Sequence, residues 1–129
     1  MTVLIAERNA SASFFAELKR LKQVITAVES TENVFFLLDE VLKGTNFRDQ
    51  HLGTEALLKQ LVKANGTGLM ATHDLEIGSL AESFPDRIRN VCFEVETDGD
   101  HLRFDYKMRT GVTQSFNATQ LMRRMGIKI

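Results

Sequence analysis

One cysteine, one proline, one tyrosine and no tryptophan occur among the 129 residues, and no apolar run approaches the roughly 18 residues of a membrane span. The lone Cys92 excludes an internal disulfide, and its place in a segment of alternating apolar residues reads as a buried core thiol in a reducing cytoplasm. With no apolar span, and no basic stretch followed by an apolar one at the N-terminus, neither a membrane helix nor a secretory signal is expected. Charge of one sign is also missing. Sixteen Lys and Arg stand against seventeen Asp and Glu, a net charge of −1, which does not resemble a strongly basic nucleic-acid binder. Lys19-Arg20-Lys22 and Arg123-Arg124 read as solvated faces of helices. His51, His73, His101 and Cys92 share no ligand-like spacing, so a metal site of the His and Cys type is not expected.

What is present is a regular alternation of helical and extended patterns. Residues 3–5 suit a short strand. Phe14, Leu18, Leu21, Ile25 and Val28 recur every three or four residues and predict one face of a helix over about 13–29, with Glu17 favouring its N-terminal dipole. Residues 34–38 form a continuous apolar run fit for a strand buried on both faces of a parallel sheet. A polar loop over 41–49 leads to a helix carrying Leu52, Ala56, Leu57, Leu61 and Val62 and ending near Asn65-Gly66. Residues 68–72 read as a second buried strand, and a helix over 76–83 runs to Pro85. Segments 88–96 and 101–108 alternate apolar and polar residues around Thr97-Asp98-Gly99-Asp100, a hairpin signal. A last helix over 115–125 has Ser115 as a cap and Leu121, Met122 and Met125 on its apolar face. The fold class is α/β, with parallel central strands, an antiparallel edge hairpin and flanking helices.

The chemistry gathers at two strand ends. Val34-Phe35-Phe36-Leu37-Leu38 runs straight into Asp39-Glu40, the form of a Walker B strand. There Asp39 would hold Mg²⁺, because a hard cation prefers carboxylate oxygen, and Glu40 would activate the water that attacks a terminal phosphate. Thr72-His73-Asp74 follows the next buried strand. Neighbouring parallel strands end side by side, so His73 can reach the place Glu40 faces and bond a γ-phosphate or the attacking water.

These residues resemble the MutS family of DNA mismatch repair proteins, specifically the C-terminal half of its ATPase domain. The likeness runs from Ser13-Phe14-Phe15-Ala16-Glu17-Leu18, like the family's signature segment, through Asp39-Glu40, Gly44-Thr45 and Ala71-Thr72-His73. It continues to Asn90-Val91, Phe104-Asp105-Tyr106-Lys107-Met108 and Gly111. The resemblance implies the C-terminal portion of a P-loop, ABC-type NTPase domain over residues 1–129, with ATP and Mg²⁺ as cofactors in the full-length protein and a cytoplasmic location. It implies Asp39 as the magnesium ligand, Glu40 as the catalytic base and His73 as the switch that senses the γ-phosphate. Thr45 and Asn46 fall where the family's loop meets a second copy of the domain across a shared nucleotide, which implies a homodimer. Ser11 and Ser13 flank the register of a serine that touches the partner's ATP, a register Ala12 occupies here. DNA would be met through other domains of the parent protein.

Two departures stand out. Val41-Leu42-Lys43 precedes Gly44 where the family shows a Gly-Arg-Gly-like turn, and Ser115-Phe116-Asn117-Ala118 replaces a small-residue pattern, which marks a divergent branch. The phosphate-binding loop Gly-x-x-x-x-Gly-Lys-[Ser/Thr] is absent from these residues. The chain therefore reads as an excised or truncated C-terminal piece, inactive alone, that couples ATP hydrolysis to dimerisation and DNA handling in its parent. Two alternatives are another ABC-type ATPase subunit, against which the lack of Leu-Ser-Gly-Gly-Gln before the acidic strand speaks, and a non-enzymatic dimerisation module pairing near residues 44–50.

Overall fold

The apolar strand of the acidic pair is the middle strand of a three-stranded parallel sheet. A computed structural model describes residues 1–7, 13–30, 33–98, 101–114 and 117–129. The chain forms two compact units, Met1–Leu80 and Ala81–Ile129.

In the first unit, β1 (Thr2–Glu7), α1 (Phe14–Glu29), β2 (Val34–Asp39), α2 (Phe47–Lys63) and β3 (Thr67–Ala71) alternate, and the sheet order is β1-β2-β3. Both crossovers step the same way along the sheet, so their common hand places both helices on one face. The core confirms it: Ala6, Val34, Phe36 and Leu38 of the sheet join Leu21, Val24 and Val28 of α1 and Leu57 and Leu61 of α2 in one cluster. The opposite face is apolar and open, with Val3 50%, Ile5 48% and Leu69 60% exposed. A 3-10 turn, Leu75–Ser79, follows β3 and continues into the short helix α3 (Leu80–Ser83), where the sequence pattern implied a single helix.

The helix faces differ from the apolar periodicity. α1 buries Glu17, Leu21, Val24 and Val28, while Leu18 is 40% exposed, so the inward stripe is rotated toward an acidic residue. A carboxylate goes inside only where something bonds it, and Glu17 has such a partner in the loop after β2. On α2 the buried residues are Thr54, Leu57 and Leu61, and Leu52 faces outward.

In the second unit, β4 (Val91–Asp98) and β5 (His101–Thr110) pair antiparallel from Val91↔Thr110 to Asp98↔His101. Glu94 alone stands opposite the three residues Asp105–Lys107, and Tyr106 absorbs the excess with φ +57°. This hairpin forms a two-stranded sheet of its own among the described residues. Alternation specifies that a segment is extended and two-sided, but carries no information about which sheet it joins. Cys92 is half-buried, its thiol donating to Glu94, rather than a core residue. The last helix is α4 (Asn117–Arg124). The cap expected at Ser115 and the turn residues Gly99-Asp100 lie outside the described residues.

Close approach of β2 and β3 requires glycine at position 68, which pairs with Phe36. A Cβ there would stand 2.3 Å from both the carbonyl oxygen and Cδ2 of Phe36. Because backbone cannot yield as a side chain tip does, Gly68→Ala should cost about 1–3 kcal/mol. Amide exchange of β2 and β3 in urea measures it, and unchanged protection would show that β3 shifts freely.

Candidate functional site

Parallel strands end together, and the C-terminal edge of the first unit's sheet carries the polar residues. Asp39, the last residue of β2, lies in register between Glu7 of β1 and Ala71 of β3. The ladder extends one step further, because the Glu40 amide donates to the Ala71 carbonyl at 2.9 Å. Glu40 takes φ +45° to do so, turning the chain out of the sheet. Its carboxylate then meets two side chains: one oxygen faces His73 Nε2 and the other accepts from Lys43 Nζ. The structure thus brings Glu40 and His73 into contact. His73 presents a ring that is 90% exposed, and Asp39 is exposed, with no bonded partner for its carboxylate among the described residues.

The hydrogen bond from Lys43 chiefly holds the Glu40 carboxyl below the usual carboxylate range, with the charges of His73 and Lys43 adding and partial burial opposing. Glu40 is therefore ionised and tied at neutral pH. Lys43 is a site residue that the sequence motifs did not single out, although a lysine three residues after a carboxylate is a legible pairing signal.

The turn after the acids is held from beneath. Glu17 Oε1 accepts from the buried Leu42 amide at 2.5 Å. Gln50 Nε2 donates to the Val41 carbonyl at 3.1 Å. Leu42 itself has φ +64° and is buried, so this turn adopts a glycine-like backbone while keeping a core side chain. Gly44 lies against Phe14, close enough that a Cβ would be 2.9 Å from Cδ2 of that ring. The start of α1 and the turn after β2 are one packed assembly.

Ser13 is the N-cap of α1, its Oγ accepting from the Ala16 amide. Asn46 is the N-cap of α2: Oδ1 accepts from the Asp49 amide at 2.9 Å and Nδ2 donates to the Asp49 carboxylate at 2.7 Å. Thr45 sits half-buried just before it. Ser11 lies outside the described residues. The loop after β3 is also anchored. Asp74 accepts from the Glu76 amide through Oδ1, and its other oxygen lies 2.6 Å from His51 Nδ1 on α2. The hydrogen bond to Asp74 is the main cause that raises the His51 pKa above its ordinary value, with the charges of Asp74, Glu76 and Glu55 adding and desolvation opposing.

An α/β unit whose parallel strand ends present an acidic pair touching a histidine is the class of protein that fold and site define. The family profile of MutS domain V matches residues 6–126, and the chain belongs to that family. It is 28% identical over 116 residues to the DNA mismatch repair protein MutS of Thermotoga petrophila, covering 90% of this chain and 14% of that protein. The MutS of Thermotoga maritima aligns to the same extent, and that of Thermotoga neapolitana is 28% identical over 119 residues, 92% of this chain. The chain thus spans about 14% of the length of the curated relatives it matches. No helix among the described residues is long and apolar enough to cross a membrane.

Two outcomes follow from this geometry. Glu17→Leu strands the buried Leu42 amide and should cost roughly 1–3 kcal/mol, whereas Glu17→Gln keeps an acceptor and should cost less; chemical denaturation ranks them, and equal losses would mean that Glu17 acts by packing alone. The His51 pKa is raised on folding, so the stability its protonated form contributes is complete below its unfolded value near 6.5 and is lost as pH rises through the folded value. Melting temperature followed from pH 5.5 to 8.5 should show that loss in the natural chain and not in His51→Gln.

Proposed function

We propose that this chain is the C-terminal half of a P-loop, ABC-type ATPase domain in a MutS-like DNA mismatch repair protein. The contact between Glu40 and His73 at the end of a parallel sheet carries this reading. Glu40 follows β2 and His73 follows β3, so the contact joins the ends of two neighbouring parallel strands, which supports the roles that the family resemblance implies for them. In the parent protein the domain couples ATP binding and hydrolysis to pairing with a second copy and to DNA handling by other domains.

Asp39 fits a hard cation, being an exposed carboxylate with no competing bond among the described residues. It would hold Mg²⁺, which when bound neutralises charge on the transferring phosphoryl group. Glu40 orients and deprotonates the attacking water. For that its tie to Lys43 must loosen, since a carboxylate held low in pKa is a weak base. His73 bonds the terminal phosphate, and its exposure leaves the ring free to face it. Thr45 and Ser13 offer hydroxyls toward the partner copy, with Ser11 near them in sequence. Asn46 shapes the same loop through its cap. The chain has no Gly-x-x-x-x-Gly-Lys-[Ser/Thr] loop, so the 129 residues alone do not hydrolyse ATP.

In a polypeptide that includes a phosphate-binding loop, Glu40→Gln should lower kcat by about 10²–10⁴ with ATP affinity nearly kept. His73→Ala should lower turnover more than affinity. Steady-state hydrolysis with nucleotide-binding titrations checks both, and turnover preserved in Glu40→Gln overturns the assignment of the base.

A further inference from the structure

Glu40 and His73 each follow a strand, and the residue after each is tied to α2 by one of two neighbouring side chains. Gln50 Nε2 donates to the carbonyl of Val41, next to Glu40, at 3.1 Å. His51 Nδ1 lies 2.6 Å from Oδ2 of Asp74, next to His73. Successive residues of a helix point about 100° apart, so adjacent positions on one rigid element reach the ends of two strands.

His73 depends on such an anchor. Its ring is exposed, so its place follows from its backbone rather than from packing. The parallel ladder stops two residues before it, at the bond from the Glu40 amide to the Ala71 carbonyl. Beyond that point three bonds run within the loop itself: the Asp74 amide donates to Thr72 Oγ1, the Glu76 amide to Asp74 Oδ1 and the Ile77 amide to the Asp74 carbonyl. Local bonds set the loop's shape but not its distance from β2. Burial of Ile77 and Leu80 holds the turn that follows, yet apolar contact is non-directional. The bond between His51 and Asp74 joins the loop to the helix with a defined direction, between side chains only 21% and 12% exposed. An Nδ1–H donor exists in one neutral tautomer and in the imidazolium alike, so the tie does not require a charged ring.

We propose that Gln50 and His51 are positioning residues that set the distance between the Glu40 carboxylate and the His73 imidazole, with Asp74 as the receiving group on the loop. The inference rests on the roles proposed above for Glu40 and His73. Each side chain acts through the residue beside a site residue, so α2 works as a gauge between the two strand ends. A reacting group misplaced by 1 Å can cost about 10²-fold in rate, and a partial shift on losing one tie should cost about tenfold.

In a polypeptide that includes a phosphate-binding loop, single-turnover ATP hydrolysis should slow about tenfold in His51→Leu and in Gln50→Leu, with nucleotide affinity nearly kept. His51→Asn, whose amide can donate from near the place of Nδ1, should recover most of the rate. In a His73→Ala background, His51→Leu should cause no further slowing, an outcome that lost stability alone would not produce. Asp74→Asn keeps the side chain's shape but offers one acceptor oxygen to two donors, and it repeats the test should His51→Leu not fold. A full rate in His51→Leu or Asp74→Asn beside a slowed His73→Ala overturns this inference alone, as does slowing by His51→Leu that persists undiminished in His73→Ala. A full rate in His73→Ala itself overturns the proposed function together with it.

Discussion

The hydrogen bond from the Glu40 amide to the Ala71 carbonyl is the constraint on which the site depends. It continues the parallel ladder one residue beyond β2 and so fixes where the acidic pair leaves the sheet relative to the strand that carries His73. A one-residue slip between β2 and β3 would send Glu40 to the other face and separate the two. The register is itself locked by shape, because Gly68 lets the β3 backbone come against Phe36, where any side chain would collide. Backbone pairing, core packing and chemistry are thus three consequences of one alignment.

The turn after Glu40 is stabilised by a different means. Two residues of this turn, Glu40 and Leu42, stand at positive φ, which for residues with a Cβ costs about 1–2 kcal/mol each. Glu17 offsets that by bonding the Leu42 amide from inside the unit, and Leu42 buries its side chain in the same place. The start of α1 and the acidic strand are therefore mechanically joined, so that a shift of one must alter the other.

Much of this was legible beforehand. The run of residues 34–38 into Asp39-Glu40 identified the central strand, and the strand read at 68–72 lies at Thr67–Ala71, although it is not buried, with Leu69 60% exposed. The hairpin followed from its alternation, because a period of two reflects the two-sided geometry of an extended chain. Less legible was the inward face of α1. Its apolar spacing pointed through Leu18, whereas a buried Glu17 turned the helix, and a buried carboxylate is intelligible only once its partner is known.

By itself, the sequence determined the order of elements, the chemical types at the strand ends and the family, all of which reside in local pattern and motif. Tertiary structure alone decided that Lys43 and His73 share the carboxylate of Glu40, that Glu17 lies beneath Leu42, and that His51 meets Asp74 with Glu55 and Glu76 beside it. These partners are separated by up to 33 residues along the chain, as Glu40 and His73 are. Their meeting depends on the register of the sheet and the packing of two helices on one face, properties of the whole unit that no single segment encodes.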